Sequence, residues 1–258
     1  MSILQCLKVD CKRLWHNGHF IFLITIMTLF TLCAVVTGGE IRYDNNVLYY
    51  IVQLTRDHKY FLIYLIVFFV YGGSFIDDFR HQYIRQVLQY KRIFIYVCSK
   101  MIVIFISSML AIAISLLLSS LVLRIFKPWS GENMDYFYQM NLASVYGSEN
   151  YVLLILLMGL QIGLMAGFLC CSSAFVSIWI ENKILCGTMT MLVMLTIQYI
   201  TGCFVDDTQS FITYFTPACN YMAWGNHWIE KAVIISGSGF IVCLILTYVS
   251  IIRRIRNE

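Results

Sequence analysis

Residues 101–123 read MIVIFISSMLAIAISLLLSSLVL, an unbroken run of 23 residues without Asp, Glu, Lys, Arg or Pro. Wound as an α-helix at 1.5 Å per residue, it is about 35 Å long, enough to cross the ~30 Å hydrocarbon layer of a bilayer. One charged residue at its centre would cost about 2.5–3.5 kcal/mol, which is the physical reason for the gap in charge. Working outward, five further charge-free runs appear: Phe20–Val36, Tyr60–Ile76, Tyr151–Cys171, Ile184–Val205 and Ala232–Ile252. None contains proline, and none alternates apolar with polar residues as a barrel strand would. The expected fold is all-α: a single polytopic domain over residues 1–258 with six transmembrane helices. Composition agrees, with 60% apolar and 12% charged residues. A soluble domain has about twice that charge, and this chain has too little polar surface to coat a globule.

The first run follows Lys8, Lys12 and Arg13, so a signal peptide competes with an anchor. Phe20–Val36 exceeds the usual h-region and no small-residue cleavage site follows, so it reads as an uncleaved span. Six crossings place both termini on one side. The basic residues of that side and its connections number twelve, against six on the other, which also holds nine of the fourteen acids. The positive-inside rule then makes both termini cytoplasmic, in a cell (plasma) membrane. Trp15, Trp129, Trp179, Trp224 and Trp228 fall at or beside span boundaries, where amphipathic rings prefer to sit. Orientation and anionic headgroups explain the basic surplus without a nucleic-acid partner.

Two cytoplasmic segments stand out. In residues 1–18, Leu4, Leu7, Cys11 and Leu14 recur at helical spacing while Lys8, Lys12 and Arg13 fall largely elsewhere, as in an amphipathic helix lying in the membrane interface. In residues 77–100, Phe79, Tyr83, Ile84, Val87 and Leu88 repeat at helical spacing among Arg80, His81, Arg85, Gln86 and Gln89. This basic interfacial helix between the second and third spans would present a stiff surface to a soluble partner.

Within the spans, Gly159, Gly163 and Gly167 form a ridge of small residues four apart. Ser107, Ala111, Ser115 and Ser119 form a second on the third span, and such ridges let helix backbones approach closely. Tyr60, Tyr64, Phe68, Tyr71 and Phe75 make one face of the second span almost wholly aromatic, which by itself reads as packing or lipid contact.

The run Phe75-Ile-Asp-Asp78-Phe-Arg-His-Gln-Tyr-Ile-Arg85-Gln-Val-Leu88, with Lys91-Arg92 and Ser99-Lys100 after it, resembles the second-to-third-span segment of ABC-2 type transporter permeases. In that family an acidic residue closes the second span and a basic amphipathic helix ending in leucine follows. A basic pair and a Ser-Lys or Gly-Lys then open the third span. Gln82 stands where the family often has glycine, and the spacing after Leu88 differs. The N-terminal interfacial helix, the tight connection Trp179-Ile-Glu-Asn-Lys183 and Pro217 before the last span match the family's layout. The resemblance implies a permease subunit of an ATP-driven exporter, paired with a second permease, the same or homologous, and with two cytoplasmic ATPases. Asp77, Asp78, Arg80, Ile84, Arg85 and Leu88 would couple it to those ATPases. The family's second and fifth spans line the export route, so Tyr60, Tyr64, Phe68, Tyr71 and Phe75, with Thr196 and Gln198, become a candidate path for an amphipathic substrate such as a peptide antibiotic, toxin peptide, drug or lipid-like molecule.

The chain has no G-x-x-x-x-G-K-[ST] phosphate loop, so ATP and Mg are expected in the partner subunits and no cofactor in this chain. No Cys/His set has zinc spacing, no metal ligands are expected, and no buried base is paired with a nucleophile, so no catalytic residue is assigned. Most of the ten cysteines lie in or near spans or on the reducing side; Cys203 and Cys219 alone are placed to meet outside. Ser236-Gly-Ser-Gly239 reads as close helix packing. The competing function is a membrane immunity or sensor protein that binds an antimicrobial peptide at the outer loops, residues 37–59, 124–150 and 206–231, without transport.

Overall fold

The computed structural model describes residues 3–16, 18–37, 46–56, 62–81, 83–84, 93–131, 143–204 and 228–257. The described residues are helical, with no strand among them. The helices are α1 (Ile3–His16), α2 (His19–Thr37), α3 (Val47–Arg56), α4 (Leu62–Tyr71) and α5 (Ser74–Arg80), followed by α6 (Ile93–Arg124), α7 (Ala143–Gly147), α8 (Tyr151–Val176), α9 (Lys183–Phe204) and α10 (Trp228–Asn257). By length and composition α6, α8 and α10 can each cross a membrane, and the number rises to five if the bent pairs α1–α2 and α4–α5 each make one span. The protein is thus an all-helical chain compatible with a multi-pass membrane protein. The described apolar run of α9, Lys183–Ile197, is shorter.

The bundle is organised around α6 and α8. A Cβ on Gly159 would lie 2.8 Å from Ala113 Cα, one on Gly163 2.6 Å from the Met109 carbonyl oxygen, and one on Gly167 2.9 Å from the Phe105 ring. The Cys171 thiol reaches the Met101 carbonyl at 3.8 Å. Each step forward by four on α8 is a step back by four on α6, so the helices are antiparallel and one i/i+4 ridge seats on another. The glycines do not meet the Ser107–Ser119 ridge, which faces away from them. Those serines are buried, and Ser107, Ser115 and Ser119 each donate to a carbonyl three residues back, at 2.9–3.2 Å. Their hydroxyls are satisfied within α6, leaving its surface there small and smooth.

Helix α10 packs on the same pair. Phe240 meets Phe105 edge-on at 5.4 Å, Tyr248 meets Phe94 at 5.5 Å, and a Cβ on Gly239 would strike the Phe168 ring at 2.5 Å. Numbering rises on α10 as it falls on α6, so α10 runs parallel to α8. On α9, Lys183 lies beside Gly73, Gly187 beside Phe68 and Phe69, and Thr190 donates to the Tyr64 carbonyl at 2.9 Å, which makes α9 antiparallel to α4.

The structure departs from the hydropathy reading in four places. The expected second span, Tyr60–Ile76, is not one straight helix: α4 stops at Tyr71 and α5 leaves at 41° after Gly72-Gly73. Glycine costs about 1 kcal/mol per residue relative to alanine in a helix, and two in succession mark the break. Helix α6 starts at Ile93 rather than Met101; at 32 residues it is about 48 Å long and outruns the hydrocarbon layer by several turns. The supposed outer loop 37–59 contains α3, whose Val47, Leu48, Ile51 and Val52 are buried. Asn46 starts that helix by accepting from the Tyr49 amide at 2.9 Å, and Val47 and Leu48 donate to the Pro128 and Trp129 carbonyls. Finally, α1 meets α2 at 59° beside Gly18, whose φ of 63° is left-handed.

The face that α1 buries also differs from its apolar stripe. Asp10 and Leu14 are buried and Leu7 half-buried, whereas Leu4 is 75% exposed and Cys11 exposed. The helix docks by a polar face, and that face leads to the site.

Candidate functional site

Where α1, α4, α5 and α6 converge, a set of ionised and hydroxyl groups is withdrawn from solvent. On α1, Asp10 and Arg13 are one helical turn apart and share a face. On α6, Tyr96, Ser99 and Lys100 repeat at i, i+3 and i+4 and are all buried. The short helix α5 presents Asp77 and Asp78 in sequence.

Lys100 is fully buried, and its ammonium has three partners. It pairs with Asp78, donates to the Ser74 carbonyl at 3.1 Å, and donates to Tyr96 Oη at 3.2 Å. Three N–H donors thus meet three acceptors. Asp78 also accepts from Tyr96 Oη at 2.5 Å and from Arg13 at 3.2 Å. Asp10 accepts from Tyr71 Oη at 2.9 Å and from Ser99 Oγ at 3.5 Å. Burial pushes the Asp10 carboxyl above its usual range, against the pull of the nearby Lys100 charge and the Tyr71 hydrogen bond. Aromatic rings enclose the cations: Lys100 sits 5.2 Å from the Phe75 and Tyr96 centroids, and Arg13 lies 4.6 Å over Tyr83. Two acids and two bases balance, and a buried pair repays its desolvation only with such complete hydrogen bonding.

Asp77, the neighbour of Asp78, reaches a different helix. It pairs with Lys183 at the start of α9 at 2.6 Å, with both side chains nearly half exposed. A third arm lies beside it. Arg254 near the end of α10 pairs with Glu181 at 2.7 Å, donates to the Ile178 carbonyl, and stacks 4.2 Å over the Phe79 ring of α5. Arg80 donates to the Glu181 carbonyl at 3.4 Å. A seven-residue helix is therefore tied to α1, α6, α9, α10 and the α8–α9 turn.

The structure thus brings together Asp77, Asp78, Arg80 and Ile84, with Ile84 buried in the apolar core beneath. Arg85 and Leu88 lie outside the described residues, as do Gln82, Lys91, Arg92, Tyr60, Asp206, Asp207 and Cys219. The side chains of Gln198 and Cys203 also lie outside those described. The aromatic face of α4 divides. Tyr64, Phe68 and Phe75 are buried in the core of this one chain, where α4 packs on α2, α6, α8 and α9. Tyr71 leaves the face to hold Asp10. Thr196 is exposed and bonds back to the Leu192 carbonyl at 2.8 Å.

Asp10, Arg13, Tyr96, Lys100, Lys183, Glu181 and Arg254 had no site role in the sequence reading. One signal was available for Asp10: it is the only acid in the first 39 residues, set on an otherwise basic helix. For Lys100 the signal is its place in the Ser99-Lys100 pair quoted for the resemblance; by hydropathy alone, a lysine just before an apolar run ordinarily faces headgroups.

Beside the cluster opens a cavity of about 740 Å³. Its lining is polar at Arg13, Asp77, Lys100 and Lys183, on α1, α5, α6 and α9, and apolar at Phe22, Leu23 and Phe69, on α2 and α4. No group of three or more His, Cys, Asp or Glu side chains converges as metal ligands would among the described residues. No protein-family model, curated protein or solved structure matches the chain.

Proposed function

We propose that this chain is the permease subunit of an ATP-driven exporter of the ABC-2 type, with α5 as the element that carries force from a cytoplasmic ATPase into the bundle. One observation carries the reading: adjacent carboxylates on one short helix hold different helices, Asp78 gripping α1 and α6 while Asp77 grips α9. A push on α5 would move three helices together, because charged partners this close resist separation more than apolar contacts that can slide.

Helix direction supports six crossings. Helices α8 and α10 run parallel, so a chain leaving α8 must return across the layer before α10 begins, and α9 is the segment between them. Helix α4 ends, and α6 and α9 begin, at the end of the bundle where α1 docks and α10 finishes. That end gathers Arg13, Arg80, Lys100, Lys183, Arg253, Arg254 and Arg256, which supports reading it, by the positive-inside rule, as the cytoplasmic face of the proposed plasma-membrane protein. In this reading α1 lies in the inner interface, a second permease completes the pathway, and ATP is hydrolysed by separate subunits, since this chain lacks a phosphate loop.

The test is purification of the full-length chain from native membranes in mild detergent. The expected result is co-elution of a soluble protein bearing a phosphate loop, with ATP hydrolysis that rises when permease is added back. A chain that elutes without any nucleotide-hydrolysing companion, yet protects cells from an antimicrobial peptide, would overturn the reading in favour of immunity without transport.

A further inference from the structure

The cavity beside the cluster has a division of chemistry that neither the ion pairs nor the helix packing requires. Its charged lining comprises Arg13, Lys100 and Lys183 against Asp77 and Asp78; with Asp10 on the lining Tyr71 the charges balance, and every one of these carboxylates is already partnered. Arg13 and Lys183 are each about 40% exposed. Among the described residues Arg13 commits one of its five N–H donors, to Asp78, and Lys183 bonds only the Asp77 carboxylate. Both retain donors for an incoming acceptor. Phe22 and Phe69, also in the lining, are 62% and 37% exposed and, with Leu23, belong to α2 and α4, so the apolar part of the lining runs on into the outer surface of those helices. A site with spare cationic donors at one end and a greasy wall leading away is matched by a molecule built the same way.

We propose that this cavity binds an amphiphile with an anionic phosphate head and an acyl tail, the head at Arg13 and Lys183 and the tail along Phe22, Leu23 and Phe69. A guanidinium and an ammonium together suit a phosphate oxygen set, by charge-assisted hydrogen bonds. A choline head would add a fourth cation to the three that line the cavity. The site does not rest on the exporter reading, because a resident membrane phospholipid and a transported amphiphile share this chemistry.

The experiment is native mass spectrometry of the full-length chain in mild detergent, titrated separately with dioctanoyl-phosphatidylglycerol, dioctanoyl-phosphatidylcholine and inorganic phosphate. One adduct of phosphatidylglycerol is expected, binding at least about tenfold more tightly than phosphatidylcholine, with inorganic phosphate too weak to compete at equal concentration. Arg13→Gln and Lys183→Gln should each weaken that adduct about tenfold, the loss of one charged hydrogen bond, while Arg253→Gln on α10 leaves it unchanged. Leu23→Trp should weaken it by filling the apolar wall. Lipid retained through purification marks a resident, and lipid bound only on addition marks a passing occupant; both support the site. Equal binding of the two phospholipids overturns the proposal and needs no variant, so a misfolded mutant does not blur it. Equal competition by inorganic phosphate overturns the tail assignment, and indifference to both cation substitutions overturns the head.

Discussion

Asp78 and Lys100, 22 residues apart in sequence, form an ion pair from which water is excluded, the lysine side chain fully buried and the aspartate 8% exposed. Removing Asp78 leaves the fully buried Lys100 without its anion, a cost of about 3–5 kcal/mol, whereas removing Lys100 leaves Asp78 with Arg13 and Tyr96 and costs less. Asp78→Asn should lower the unfolding midpoint in detergent sharply and Lys100→Met less so, and the double variant should recover most of the Asp78→Asn loss. A double variant as unstable as the sum of the singles would mean that the pair is not the unit described.

The Asp77–Lys183 pair predicts the opposite balance. Both side chains are nearly half exposed, so the pair contributes at most about 1 kcal/mol and Asp77→Asn or Lys183→Gln should leave the unfolding midpoint almost unmoved. Transport-linked ATP turnover in the reconstituted complex should nonetheless fall in both variants, and the swap Asp77→Lys with Lys183→Asp should restore part of it. Normal turnover in both single variants would remove α9 from the coupling path.

Asp10 gives the protein a pH dependence of defined sign. Its carboxyl titrates above the ordinary 3.8 because it is buried, so the folded state holds the proton more tightly than the unfolded chain. Stability is then greatest below the unfolded value, falls as pH rises through the folded one, and levels off above it. Asp10→Asn keeps an acceptor for Tyr71 and should flatten the fall in stability as pH rises above the ordinary carboxylate value, with a higher midpoint at neutral pH. A slope unchanged by the substitution would place its source elsewhere.

At the centre of the bundle, Gly163→Ala puts a methyl 2.6 Å from the Met109 carbonyl and must part α6 from α8. Overpacking of this kind costs about 1–3 kcal/mol. Gly237→Ala, where nothing lies within 4 Å, should be neutral or slightly stabilising through helix propensity. Thermal unfolding of the two variants side by side separates packing from propensity.

The long apolar helices α6, α8 and α10 and the glycine ridge were legible because charge-free length and i/i+4 spacing are properties of one helix at a time. What hydropathy did not reveal depended on two segments meeting. Gly72-Gly73 is neutral on a hydropathy scale, so the break between α4 and α5 left no trace. Lys100 looked like a headgroup lysine because nothing local told that α6 starts two turns earlier or that α1 and α5 cover it. Leu4, Leu7, Cys11 and Leu14 gave α1 a convincing apolar stripe, yet the docked face centres on Asp10, since a buried acid with Tyr71 and Ser99 as partners outweighs one more exposed leucine. Helix α3 was hidden in a supposed loop for want of length; it packs on α2 and α6, and its first amides bond the turn at Pro128 and Trp129, far off in sequence.

The most direct test of force entry through α5 is a photo-reactive amino acid in place of His81, the exposed residue that ends this helix. Irradiated in native membranes, it should crosslink to a soluble polypeptide carrying a phosphate loop, with a yield that changes on adding ATP. Crosslinks to lipid alone, with or without nucleotide, would contradict the assignment of α5 as the point where an ATPase engages.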